Sequence, residues 1–122
     1  MKQDRSEFTR LIEATGHSMR GIRACWAHES AFRLNVVLSA VLFILSFFLA
    51  RSAEQWLVLI FPLFLLLIVE LLNSAIENTV DRIGTERHHL SGRAKDMGSA
   101  AVFFCLVLIG LSWIAVAWQN IL

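Results

Sequence analysis

Glu70, Asn73, Glu77 and Asp81 follow one another at offsets of three, four and four residues. On a helix that spacing keeps all four side chains on one face. A carboxylate can take a proton from a hydroxyl or hold a hard divalent cation, and an amide can orient what reacts between them. The segment just before them is Trp56-Leu-Val-Leu-Ile-Phe-Pro-Leu-Phe-Leu-Leu-Leu-Ile-Val69. A carboxylate in such an apolar helix is costly, about 2.5–3.5 kcal/mol for Asp near a bilayer centre. A chain that keeps these groups there is expected to use them. Glu29 stands before the first apolar run, and Lys95 and Asp96 stand before the last. Carboxylates, an amide and a lysine at one level suit phosphoryl transfer from a metal–nucleotide. There carboxylates hold Mg²⁺ on phosphate oxygens, a lysine offsets charge, and a carboxylate takes the acceptor's proton. The chain has neither G-x-x-x-x-G-K-[ST] nor the kinase G-x-G-x-x-G, which excludes the known soluble kinase architectures. A plainer alternative is that the acids only pair with Arg or Lys between helices. From the residues alone, an interfacial membrane enzyme and an ion-coupled carrier both stay open.

The elements that must position these groups follow from composition. Of 122 residues, 57% are hydrophobic and 17% charged, and the apolar ones concentrate in 34–50, 56–69 and 97–118. The first and last runs reach spanning length; the middle one does so only by continuing through Glu70 and Asn73. The expected fold is an all-α membrane protein of one domain, 1–122. An interfacial amphipathic helix within 1–32 precedes transmembrane helices at 34–50, 54–80 and 94–119. No cleavable signal sequence is expected ahead of the first span. Lys2, Arg5, Arg10, Arg20, Arg23 and Arg33 precede that span, Arg82, Arg87, Arg93 and Lys95 lie between the second and third, and Arg51 alone lies between the first and second. The positive-inside rule then makes the N-terminus and the 81–96 loop cytoplasmic. With Trp56 at the outer interface, Glu70 lies about 21 Å along the helix and Glu77 about 32 Å. Against a core of roughly 30 Å, Glu70 falls just inside the inner boundary and Glu77 at it. Glu70 can therefore meet a hydroxyl carried by a lipid, and Glu77 a water-borne ligand.

Phe8, Leu11, Ile12, Thr15, Met19, Ile22 and Trp26 recur at helical spacing opposite Arg10, Glu13, His17 and Arg20, as in a helix lying in a membrane interface. Gly16 and Gly21 weaken that helix. Gly98, Ser99, Ala100 and Ala101 open the third span with small side chains that allow close helix approach. Pro62 is expected to kink the second span. Trp113 and Trp118 are expected in the outer aromatic belt. Cys25 and Cys105 are assigned structural roles, and His88 and His89 a surface loop. Asp81 is expected to anchor the cytoplasmic end of its helix. A three-span domain is too small to enclose a site, so self-association is expected, and no nucleic-acid partner is.

The run Glu70-Leu-Leu-Asn73-Ser-Ala-Ile-Glu77-Asn-Thr-Val-Asp81-Arg-Ile-Gly, followed by Leu90-Ser-Gly-Arg-Ala-Lys95-Asp96-Met-Gly-Ser-Ala-Ala, resembles the integral-membrane prokaryotic diacylglycerol kinase family. Phe8-Thr-Arg10 and Ala24-Cys-Trp26-Ala-His-Glu29-Ser-Ala-Phe-Arg33 fit it too, so the likeness covers essentially the whole chain. The resemblance implies a homotrimer that uses ATP and Mg²⁺ to phosphorylate 1,2-diacylglycerol to phosphatidate at the inner face of a bacterial inner membrane. By position it implies Glu70 as general base, Asn73 orienting the reacting groups, and Lys95 on phosphate. Glu29 and Glu77 would hold Mg²⁺. Arg10, His17, Glu86, Arg87, His88 and Asp96 would complete the nucleotide site. Arg10, Glu70, Ser99, Trp113 and Trp118 would meet the lipid substrate.

The chain departs from the family where His17 replaces a frequent Tyr, where Asn35 replaces a frequent acid, and in the outer turn 51–56. Undecaprenol kinases share the Glu-x-x-Asn-x-x-x-Glu core, while Ser91-Gly-Arg-Ala-Lys-Asp-Met-Gly-Ser is closer to the diacylglycerol type. A proton-coupled transporter would place its acids near the midplane along a path; here they gather at one end. A structural subunit would not need Lys95 together with the glutamates.

Overall fold

The structure, a computed structural model, describes residues 2–121, with side chains from Ser6 onward. Met1 and Leu122, the ends of the expected domain, and the side chains of Lys2 and Arg5 in the charge count lie outside the described residues. Four helices follow one another: α1 Lys2–His28, α2 Ser30–Leu49, α3 Ala53–Ile83 and α4 His89–Ile121. The last three are long and apolar enough to cross a membrane.

α1 runs through Gly16 and Gly21 without a break. It stops at Glu29, whose φ of −118° and ψ of 106° are extended. The carbonyls exposed at its end are taken by Arg33, whose guanidinium donates to Trp26 O at 2.6 Å and Ala27 O at 3.3 Å. That replaces the bonds a continuing helix would make. The break comes earlier than position 32, because Arg33 reaches back to close the helix. α1 touches the bundle near its end, where Cys25 is buried; Phe8, Leu11, Ile12 and Met19 are exposed along one apolar side.

α2 has 20 residues, about 30 Å at 1.5 Å per residue, which matches the hydrocarbon thickness. α3 and α4 have 31 and 33 residues, about 46 and 50 Å, and must project beyond it. Both helices extend past the expected spans into the 81–96 loop, leaving residues 84–88 as the connection. Ser52 starts α3, its Oγ accepting from Gln55 N at 3.1 Å. His88 starts α4, its Nδ1 accepting from Leu90 N at 3.1 Å and its carbonyl from Gly92 N at 3.0 Å.

α3 is central. Its buried residues Leu59, Leu63, Leu66, Glu70 and Ser74 form one stripe, so Glu70 continues the line of the core. Leu63 and Leu66 pack with Cys105 and Ile109 of α4. On α2 the buried side carries Asn35, Ser39 and Ser46, whereas Leu34, Val37, Val41, Ile44 and Phe48 are exposed. Polar inside and apolar outside is the arrangement a helix takes in lipid. Of the small residues opening the third span, Gly98 is buried and Ser99, Ala100 and Ala101 are exposed.

Candidate functional site

The acids gather where α2 begins and the α3–α4 hairpin continues beyond it. Glu70 is 4% exposed, and Asn35 of α2 donates from Nδ2 to its Oε2 at 2.8 Å. Asn73, one turn on, lies within polar reach of the same carboxylate. Glu29 and Glu77 are half-buried and close enough for their fields to act on Glu70. One turn beyond Glu70 on the core stripe, Ser74 Oγ accepts from Cys25 Sγ at 3.4 Å. That contact pins the end of α1 beside the site. Burial pushes the Cys25 thiol up; the bond to Ser74 opposes this, and the charges of Glu29 and Glu70 reinforce it.

Asn73 explains the buried glycine on α4. A Cβ at position 98 would run into Asn73 Oδ1, so a larger residue there would make that amide shift. Yet Asn73 Oδ1 is buried with no hydrogen-bond partner. Native structures leave few such atoms. Among the described residues the single ion pair is Lys95 Nζ to Asp81 Oδ1 at 2.8 Å. The interhelical ion-pair reading therefore accounts for Asp81, which anchors the end of α3 as expected, and leaves Glu29, Glu70 and Glu77 unexplained.

Lys95 and Asp81 line an open groove of about 430 Å³ between the end of α3 and the start of α4, with Glu86, Arg87 and His88 on its wall. His88 and His89 are stacked on the surface, ring centroids 4.7 Å apart. The groove has room for charged groups, and its α3 lining begins at Val80, beyond Glu77 along the helix. Among the described residues, no three His, Cys, Asp or Glu come together as a metal cage.

The single chain does not gather every expected residue. Arg10 and His17 stay on the exposed part of α1, where Arg20 Nη2 contacts His17 Nδ1. Asp96 lines a separate open groove with His89, Arg93 and Met97, and Ser99 is exposed. Trp113 is half-buried, and its indole N–H donates to Leu59 O at 3.1 Å, tying α4 to α3. Leu59 is eleven residues from Glu70, about 16 Å along the helix. Trp118 is exposed nearer the outer end. Sequence reasoning missed Asn35 as a partner of Glu70; its signal was a lone amide early in an apolar run. It also missed Arg33 as the cap of α1 and Gly98 as the seat of Asn73.

Comparison with known proteins agrees with this picture. A profile of the family described as prokaryotic diacylglycerol kinase matches residues 16–117. The chain is 44% identical over 120 residues to the diacylglycerol kinase of Escherichia coli (strain K12), covering 98% of each chain. It is 47% identical over 105 residues to that of Haemophilus influenzae, covering 86% of this chain and 89% of the relative. It is 50% identical over 104 residues to that of Pseudomonas aeruginosa, covering 85% of each.

Proposed function

The chain belongs to the prokaryotic diacylglycerol kinase family, and from that premise we propose that it transfers the γ-phosphoryl group of ATP to the free hydroxyl of 1,2-diacylglycerol. The product is phosphatidate, and the site is the cytoplasmic face of a bacterial inner membrane. The observation that carries this reading is Glu70: a buried carboxylate on the core stripe of α3, hydrogen-bonded by Asn35 and with Glu29 and Glu77 near enough for their charges to act on it.

Glu70 acts as general base. A diacylglycerol held in lipid presents its hydroxyl at that depth, and the carboxylate takes the proton as the oxygen attacks phosphorus. Asn73, one turn from Glu70 and within hydrogen-bond reach of it, orients the reacting groups. Lys95 contacts phosphate by exchanging Asp81, an exposed partner that a competing anion can displace. Glu86, Arg87 and His88 line the nucleotide's side of the groove. Asp96 joins them, and Arg10 and His17 complete the nucleotide site from α1. Ser99 and Arg10 meet the polar end of the lipid, and Trp113 and Trp118 its tails toward the outer leaflet.

The donor set fits Mg²⁺. Glu29 and Glu77 offer hard oxygens without a closed protein cage, and Mg²⁺ is ordinarily held by one or two carboxylates together with substrate phosphates. When bound, it neutralises charge on the phosphate oxygens. The residues 1–122 work as one membrane domain with a cytoplasmic N-terminus, supported by the Lys and Arg distribution. Three copies assemble, so that α1 residues left outside the site of one chain can serve the site of another.

Purified protein in mixed micelles with Mg-ATP should phosphorylate diacylglycerol much faster than undecaprenol. Preference for undecaprenol would move the reading to the other lipid-alcohol kinases, and no phosphorylated lipid from either would end it.

A further inference from the structure

Three basic side chains stand near the start of α4, and two of them already have a partner. Lys95 pairs with Asp81, and His89 stacks on His88. Arg93 is exposed and makes no hydrogen bond or ion pair among the described residues. Its depth follows from how α4 is set against α3. Gly98 packs on Asn73, which stands 17 residues after Trp56. At 1.5 Å per residue that is about 25 Å from the outer interface, or about 5 Å inside the inner edge of a core of roughly 30 Å. Arg93 precedes Gly98 by five residues, about 7 Å, and so stands about 2 Å outside that edge. The headgroup layer reaches roughly 5–7 Å beyond the core, and lipid phosphates lie within it. Inward from Arg93 the same face turns apolar. Met97, Ala100 and Phe104 follow at offsets of four, three and four residues, and all are exposed. Arg93, Met97 and Ala100 line an open groove of about 530 Å³ with His89, Gly92 and Asp96. All six belong to α4, so the groove faces away from the bundle.

We propose that this face of α4 binds an anionic phospholipid of the inner leaflet. Arg93 and a ring N–H of His89 hold the phosphate, and an acyl chain lies along Met97, Ala100 and Phe104. The assignment does not depend on which lipid alcohol the chain phosphorylates. Charge and shape select this occupant together. A guanidinium keeps its charge and offers paired N–H donors that match phosphate oxygens. Basic groups at the cytoplasmic end of a span attract anionic lipid. The small side chains of Gly92 and Ala100 leave the hollow into which a glycerol backbone and the start of a chain can settle. A soluble anion would use Arg93 and leave the apolar stripe below it idle. Asp96 works against the attraction, because its carboxylate lines the same groove without pairing with Arg93. It keeps the binding moderate, so the lipid exchanges with the bilayer.

The test is lipid binding by the full chain in neutral detergent micelles, read by native mass spectrometry. Phosphatidylglycerol and phosphatidylcholine with the same acyl chains are titrated in separately. The wild type should bind phosphatidylglycerol more tightly. Arg93→Gln should weaken that binding about fivefold, the worth of one cation near a charged membrane surface, and leave phosphatidylcholine unchanged. Arg93→Lys keeps the charge without the fork and should fall between the two. Asp96→Asn removes the opposing charge and should tighten phosphatidylglycerol binding, a direction that a folding defect does not produce. Equal affinity for the two lipids, or for wild type and Arg93→Gln, overturns the proposal and leaves Arg93 reaching for water from the membrane edge. Inorganic phosphate should displace no more lipid than chloride at the same ionic strength; specific displacement would make this a site for a soluble anion and overturns it too. Turnover of Arg93→Gln in micelles containing only phosphatidylcholine should stay within about twofold of wild type. A large loss there with lipid binding intact would move Arg93 into the transfer reaction and also overturns the proposal.

Discussion

The two polar ends of the bundle are built in opposite ways. At the outer end the side chains satisfy one another. Asn120 Nδ2 donates to Leu49 O at 2.7 Å and to Gln55 Oε1 at 2.8 Å; Gln55 Nε2 returns a bond to Asn120 Oδ1 at 2.9 Å. Gln55 Oε1 also accepts from Arg51 N, and Trp56 Nε1 donates to Ser46 Oγ at 3.1 Å. Three helices are locked there with polar valence spent. At the inner end Glu70 is met by the Asn35 and Asn73 amides but Asn73 Oδ1 has no partner, while Glu29 and Glu77 have no side-chain hydrogen bond among the described residues. Saturated polar groups specify a structure, and unsaturated ones hold capacity for something that binds. The outer end is a hinge pin for the helices and the inner end is a working surface.

Substitutions at the two ends should therefore report on different quantities. The largest effect is expected for Glu70→Gln, which should cut turnover by about 10²–10⁴, the usual contribution of a general base, with Mg-ATP still bound. Single-turnover and nucleotide-binding measurements check it, and near-normal turnover would make the inner end no more active than the outer. Gly98→Ala comes next. Its methyl must push Asn73 aside, and a misplacement near 1 Å costs about 10²-fold in rate. A normal kcat in that variant would show that the seat of Asn73 is not used. Glu77→Gln should raise KM for Mg-ATP by about tenfold with a smaller change in kcat, the pattern of lost ground-state binding. An unchanged KM would argue against a metal role there.

Asn120→Leu sharpens the contrast from the other side. It leaves Leu49 O without its donor and removes two of the bonds to Gln55, at a cost of about 1–3 kcal/mol in stability. Thermal inactivation should come earlier while kcat per folded molecule stays within about twofold, and a kinetic defect as large as that of Gly98→Ala would erase the difference between the ends. The smallest effect concerns Cys25. Burial against α3 and α2, and a raised thiol, keep it protonated near neutral pH. Alkylating reagents should modify it far more slowly than a free thiol, measurable by mass spectrometry, and rapid labelling would show that α1 swings away from the site.

Much of this was legible in the linear pattern. The three spans and the amphipathic lead follow from where apolar residues cluster, because transfer energies act on each segment separately. The polar stripe was visible because α3 is uninterrupted from Glu70 to Asp81, and its order of depth follows from the helical rise. Helix ends were less legible. Arg33 closing α1 and His88 opening α4 each depend on one side chain folding back on nearby backbone, which composition does not announce. The bond from the Trp113 indole to Leu59 O was likewise not legible, because it joins residues 54 positions apart.

By itself the sequence determined which residues can do chemistry, their common helix face, the membrane setting and the family. Each of these rests on local spacing or on the match of a long, specific motif. Only the tertiary structure decided which partners the stripe meets. Asn35 and Glu70 are 35 residues apart, and Asn73 and Gly98 are 25. Their pairings depend on the register of helices joined by the turns at 50–52 and 84–88. That register is set by packing along whole interfaces, and by the polar lock at the far end of the bundle.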